Sequence, residues 1–178
     1  MLLRLLGMAL LGVVVVSPFS ACRQASVLMA ERERKLQEFQ HDIQAAPCAK
    51  AFIHFTTSGR KDVELPVPND QLVQLKEILS HLRPVAPAMG EKDMSHAYWL
   101  AHAIISFSDA QGKVGPFSWP WVSVINPKSI MPESKARELD PDREKSTYEP
   151  GWYLPDAQFA QFESLPIVKQ VVKLVDAS

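Results

Sequence analysis

The side chains able to do chemistry are few and scattered. The chain has five histidines, His41, His54, His81, His96 and His102, and two cysteines, Cys22 and Cys48. No two of them stand at the helix-turn or knuckle spacing that presents ligands to a zinc ion. Met89, Met94 and His96 share one loop, and thioether with imidazole suits copper(I). Three such residues in a loop arise readily by chance, so no metal is assigned to them. Cys48 with His41 or His54 has the residue types of a nucleophile and its base. Nothing in the sequence brings them together, and a buried or paired cysteine is the expectation. His102 is expected to be a hydrogen-bonded, half-buried histidine rather than a catalyst. No Gly-x-Ser-x-Gly elbow, His-Glu-x-x-His or phosphate-cradling glycine loop occurs. The carboxylates crowd into residues 133–145, where a solvated surface is expected. No catalytic residue, metal ligand or cofactor is therefore assigned. An active site assembled from distant residues leaves no local motif, so an enzyme stays open as an alternative.

Trp119-Pro120-Trp121 is the other segment with a distinctive make-up. Two tryptophans flanking a rigid proline form an amphipathic knob, and Trp is enriched at protein–protein contacts. Trp119 and Trp121 are the candidate partner contacts. The alternative is that both fill the core.

These residues must be positioned by a fold of moderate size. The 178 residues carry a net charge of −1, with no strongly basic segment, which argues against nucleic acid as partner. Fourteen prolines against seven glycines suggest stiff, shaped loops. Residues 25–46 read as a helix with Leu36, Phe39, Ile43 and Ala46 on one face and charges on the other. Its second half is expected to pack on the domain; the alternative is a stalk. Residues 51–57 and 63–67 read as a hairpin whose second strand lies at an edge, because Pro66 cannot donate to a ladder. Pro68-Asn69-Asp70 opens a helix with Asn69 or Asp70 as its cap and Leu72, Leu75, Ile78, Leu79 and Leu82 as its apolar stripe. The strongest strand spans residues 98–107, with apolar residues on both faces. A second strand region covers 114–125, interrupted at Pro116 and Pro120. Residues 126–150 are a polar loop with room for a short helix, and 152–154 add a brief strand. Pro155-Asp156 opens a helix carrying Phe159, Phe162 and Leu165. Ser164 and Pro166 restart it, and a last apolar stripe runs through Ile167, Val168, Val171, Val172 and Leu174.

The two helix openings align without gaps, Pro68 to Leu75 with Pro155 to Phe162, sharing Gln71 with Gln158 and Gln74 with Gln161. The chain then reads as two β-β-α units. The competing explanation is that proline, a capping residue and apolar spacing are common to many helix starts. The predicted fold is α+β: a mainly antiparallel four- to five-stranded sheet with helices packed on it, preceded by an N-terminal helix. A strand apolar on both faces needs a second cover or is itself a site. The N-terminal helix is the expected cover.

The beginning of the chain says where the protein works. Met1 to Arg4 carries one positive charge, and Leu5 to Val16 is an unbroken apolar run, too short to span a bilayer comfortably. Ser17-Pro18 follows, and the whole has the form of a secretory signal peptide. Phe19-Ser20-Ala21-Cys22 resembles the lipobox of bacterial lipoproteins; Phe19 stands where Leu is usual. The resemblance covers only this segment. It implies cleavage before Cys22, diacylglycerol on the Cys22 sulfur and usually a third chain on the new amine. Arg23 after the cysteine is compatible with the outer membrane. If Cys22 is not acylated, a Cys22–Cys48 disulfide is the alternative in an oxidising compartment.

The organisation expected is a cleaved signal over 1–21, lipid attachment and the N-terminal helix over 22–49, and one α+β domain over 50–178. The function expected is that of an exported, membrane-anchored lipoprotein facing the periplasm or cell exterior. Its domain is read as a non-catalytic module binding an envelope protein, of inhibitor, immunity or accessory type. The alternative is an envelope small-ligand carrier or an enzyme with a non-local site.

Overall fold

Alternation along two strands sets the architecture. In the computed structural model, which describes residues 18–56, 59–86, 90–91, 101–108, 120–125, 128–139, 144–145 and 151–177, the elements run in this order: α1 (Pro18–Ala45), β1 (Cys48–Phe55), β2 (Val63–Pro66), α2 (Asn69–Ser80), β3 (Arg83–Pro84), β4 (Gly90–Glu91), β5 (Ala101–Ser108), β6 (Trp121–Ile125), β7 (Ile130–Pro132), α3 (Glu133–Arg137), β8 (Glu144–Lys145), β9 (Trp152–Leu154), α4 (Asp156–Ser164) and α5 (Pro166–Asp176). The main sheet is antiparallel with order β2-β1-β5-β6. β1 and β5 pair along their whole length, from Cys48 opposite Ser108 to Phe55 opposite Ala101. Successive side chains point to opposite faces. Ala49, Ala51 and Ile53 of β1 and Ala103, Ile105 and Phe107 of β5 thus enter one core cluster. Cys48, Lys50, Phe52 and His54 face the other way, opposite Ser108, Ser106, Ile104 and His102.

The predicted α+β fold is the one observed. The hairpin β1–β2 turns at Gly59, whose φ of 60° lies where a side chain is strained. β2 is an edge strand and stops at Pro66. β6 starts directly after Pro120; residues 114–119, Trp119 among them, lie outside the described residues. Two small sheets complete the fold, β3-β9-β7 and the parallel pair β4-β8. The first gives the short 152–154 strand its partners, Arg83-Pro84 on one side and Ile130–Pro132 on the other.

The apolar stripe of α2 is buried as predicted, at Leu72, Leu75, Ile78 and Leu79, with Leu82 just beyond the helix. Its cap differs. Pro68 is the N-cap, and no side chain bonds the free N–H groups, so Asn69 and Asp70 do not cap it. Asp70 instead sits in the first turn, where its charge favours the positive helix end. Asp156 also works away from its own helix start: its Oδ1 accepts from the backbone N–H of Ser134 in α3 at 3.0 Å. The restart at Ser164–Pro166 is real. Leu165 is extended (φ −55°, ψ 134°), Pro166 occupies the first turn of α5, and Ile167, Val168 and Val171 enter the core.

Two hairpins lie side by side through their first strands, as two β-β-α units require. The helices depart from simple repetition. α2 and α5, not α2 and α4, lie on the core face of the sheet, and α4 packs on α2 and β9. Gln74 and Gln161, one of the two shared glutamine pairs, line a single groove of about 690 Å³ between α2 and α4. Gln71 does something its counterpart has no equivalent for: its Oε1 accepts from the N–H of Ile167 at 2.8 Å, capping α5. Replacing Gln71 by alanine leaves that donor without its side-chain acceptor. The expected cost is about 1 kcal/mol, read as a lower urea midpoint with unchanged slope.

α1 corrects one expectation. It does not cover the outer face of the sheet. Leu36, Phe39, Ile43 and Ala46 join the same cluster as α2 and α5, and Phe39 stacks on Trp152 with ring centroids 6.5 Å apart. The reason is polar as well as apolar. The last carbonyls of a helix lack internal donors. The Gln40 amide donates to the carbonyls of Leu79 (3.2 Å) and Ser80 (2.9 Å), and the Gln44 amide to that of Lys76 (3.1 Å). Lys76 Nζ returns a bond to the Gln44 carbonyl at 3.0 Å. The second half of α1 is thereby bound to the end of α2. The first half, Ser26 to Lys35, is mostly exposed, with Val27 at 60 %. β1 begins at Cys48, so the expected division at residue 50 falls inside a strand.

Candidate functional site

The outer face of the main sheet gathers most of the reactive side chains that the described residues place near one another. His54 and His102 are direct partners in the β1–β5 register, with ring centroids 5.0 Å apart and planes at 47°. Asp62, at the end of the turn leading into β2, reaches His54 Nδ1 with both carboxylate oxygens, at 2.9 and 3.0 Å. Phe52 and Ile104, paired one step further along, are buried there and stand outside the main core cluster. Together with Ile53 and Glu64 these residues line a recess of about 230 Å³. Lys50 bridges to Glu64 across the β1–β2 edge at 3.3 Å. At the far end Cys48 Sγ lies 2.6 Å from Ser108 Oγ.

Charge in the recess follows from these contacts. The hydrogen bond from His54 holds the Asp62 carboxyl below its ordinary 3.8. Burial pushes the His102 imidazole below its ordinary 6.5, the nearby His54 charge adds to that, and the Asp62 charge opposes it. Both shifts act on stability in the same sense. Between its native and unfolded pKa values a group with a depressed pKa binds fewer protons in the native state, so stability rises with pH. The His102 contribution is present above pH 6.5 and is lost as pH falls through its lower native value. The Asp62 contribution is lost at more acid pH, below 3.8. His102→Gln, which cannot titrate, is expected to flatten the fall in urea midpoint between pH 7 and pH 5. An identical decline in both proteins would contradict this assignment.

When neutral, an imidazole whose Nδ1–H is held by a carboxylate presents Nε2 as an acceptor, the form needed in a general base or a metal ligand. Among the described residues no serine, threonine, cysteine or lysine lines the recess with it. Cys48 lies six residues along the same strand from His54, about 20 Å away. His41 lies on an exposed part of α1. Cys48 Sγ engages Ser108 Oγ and not His54. His102 is half-buried, as predicted. Met89, Met94 and His96 lie outside the described residues. Trp121 is half-buried in edge strand β6, opposite Ser106 in register and hence on this same outer face. The carboxylates of α3 are surface pairs: Glu133 with Arg137 and Glu138 with Lys135. Cys22 lies within α1.

A second hollow, of about 620 Å³, opens between β6–β7 and α4–α5. Its walls are Val124, Ile130, Phe159, Phe162, Val168 and Val172, and lysines stand at its rim.

No family model, curated protein or solved structure matches the chain.

The His54–Asp62–His102 cluster was not legible as a unit in the sequence. His54 falls in the predicted strand before a turn and Asp62 at the end of that turn, which was the available hint. His102 lies 48 residues downstream of His54, and only the β1–β5 register, which no local pattern encodes, brings it opposite.

Proposed function

We propose that the protein is an exported lipoprotein, anchored to the envelope membrane through acylated Cys22, whose domain is a non-catalytic module binding another envelope protein. The observation that carries the reading is α1. One uninterrupted helix runs from Pro18 to Ala45, with Cys22 near its start and its last turns clamped to α2. At 1.5 Å per residue the helix between Cys22 and Arg32, whose guanidinium donates to the Val85 carbonyl, is a rod of about 15 Å that sets the domain off from lipid headgroups. Cys48 adds support, since it carries a free thiol engaged with Ser108 rather than a disulfide. Among the described residues no helix is long and apolar enough to cross a membrane. Arg23 is compatible with the outer membrane if the envelope is Gram-negative. The accessible margin of the outer sheet face, at half-buried Trp121 with Trp119 two residues before it, is assigned to the partner; Phe52, Ile104, Ser106 and Ser108 in the middle of that face are buried.

Affinity capture of the tagged full-length protein from mildly crosslinked envelopes tests this, with Cys22→Ser as the control. One stoichiometric partner, lost in the control and weakened by Trp121→Ala, is expected. Equal recovery of the same proteins with and without Cys22 would overturn the tethered-module reading.

A specific observation favours a second reading. The 620 Å³ hollow beside α5 has the size and apolar lining of a small-molecule site. A carrier of an apolar envelope compound would use it. Such a carrier purified from envelopes would release a stoichiometric small molecule on denaturation.

A further inference from the structure

We infer that His54 and His102 together bind a divalent late transition-metal ion, zinc in the first instance, with Asp62 orienting the His54 ligand. Directly opposed residues of an antiparallel pair share one face with their Cβ atoms about 5 Å apart. His54 and His102 are such a pair, and their ring centroids lie 5.0 Å apart. Two imidazole nitrogens on one tetrahedral zinc, each about 2.0–2.1 Å from it, put the ring centroids about 5 Å apart. The centroid separation already present matches that of two rings sharing one ion.

The carboxylate supplies an independent argument. A metal-bound histidine commonly donates its other N–H to a carboxylate, which fixes the tautomer and makes the ligand more basic. Asp62 stands in that relation to His54 Nδ1, with both oxygens within 3.0 Å, and so directs the Nε2 lone pair away from itself. The donors are borderline nitrogen ligands, which suit zinc, copper(II) and nickel and not calcium or magnesium. The recess beside them has room for an ion and its water.

Among the described residues no three His, Cys, Asp or Glu side chains could close around an ion. The ion held here keeps positions for water or an incoming donor. That makes the site exchangeable, unlike a closed structural zinc site. The inference does not depend on the tether or on the partner.

Calorimetric titration of the full-length protein with zinc chloride tests it. One equivalent, saturable, is expected for the wild type and for His81→Ala, whose histidine lies on another surface. His54→Ala and His102→Gln should each weaken binding by about tenfold or more, and Asp62→Asn by about tenfold. Thermal melts of the metal-free variants report whether each still folds, and His54, being exposed, is the safer of the two ligand positions. Saturable zinc binding that is unchanged in His54→Ala would overturn the inference, as would the absence of binding by a folded wild type.

Discussion

Replacing Phe39 by alanine is expected to destabilise the protein by about 3–5 kcal/mol, the largest effect of any single truncation in α1. Phe39 is 1 % exposed, stacks on Trp152 and joins Leu36 and Ile43 in the cluster that holds α2 and α5. Its removal forfeits the transfer energy of a buried aromatic ring and leaves a cavity that neighbours from two elements cannot collapse into. Domains of this size are stable by only about 5–15 kcal/mol, so the variant loses a large part of its margin. The measurement is a urea titration followed by tryptophan fluorescence. Val27→Ala, in the exposed half of the same helix, is expected to stay within about 0.5 kcal/mol of wild type. If both substitutions cost the same, α1 is not part of the core in solution.

Cys22→Ser is expected to move the protein from the membrane to the soluble fraction while leaving the domain folded. Each buried methylene contributes about 0.8 kcal/mol to membrane binding, so two or three acyl chains hold stably and none does not. Among the described residues no member of the core cluster precedes Leu36, so the melting temperature should not change. Fractionation of membranes, with incorporation of radiolabelled palmitate as a second readout, checks the result. Retention of Cys22→Ser in the membrane with no label in the wild type would remove the lipid anchor.

Much of the fold was legible because it is written in local periodicity. The stripe Leu72, Leu75, Ile78, Leu79 and Leu82, the restart at Pro166 and the edge position of the Pro66 strand each follow from spacing or from proline chemistry. The exceptions are long-range. Asn69 and Asp156 have the right chemistry to cap the helices they open, yet Pro68 and Pro155 take the cap positions and Asp156 serves α3 instead. The face of the sheet chosen by α1 was misjudged because its placement depends on Gln40 and Gln44 finding the carbonyl end of α2. That is a tertiary match between exposed-looking residues. The site was half-visible for a similar reason. Trp121 was singled out and does fall on the outer sheet face, whereas His54, Asp62 and His102 acquire meaning only through strand register.

The clamp between α1 and α2 has a mechanical consequence. A domain on a loose linker can tumble, and a pull on its anchor is spent in straightening the linker. Here the rod and the core are one helix, with no joint between Cys22 and the amides that grip Leu79 and Ser80. Torque applied at Cys22 would be carried along the helix to the middle of the domain. The sheet therefore keeps one heading relative to whatever surface holds its first residues, and anything that seizes the outer face loads the interface between α1 and α2 before it loads the sheet.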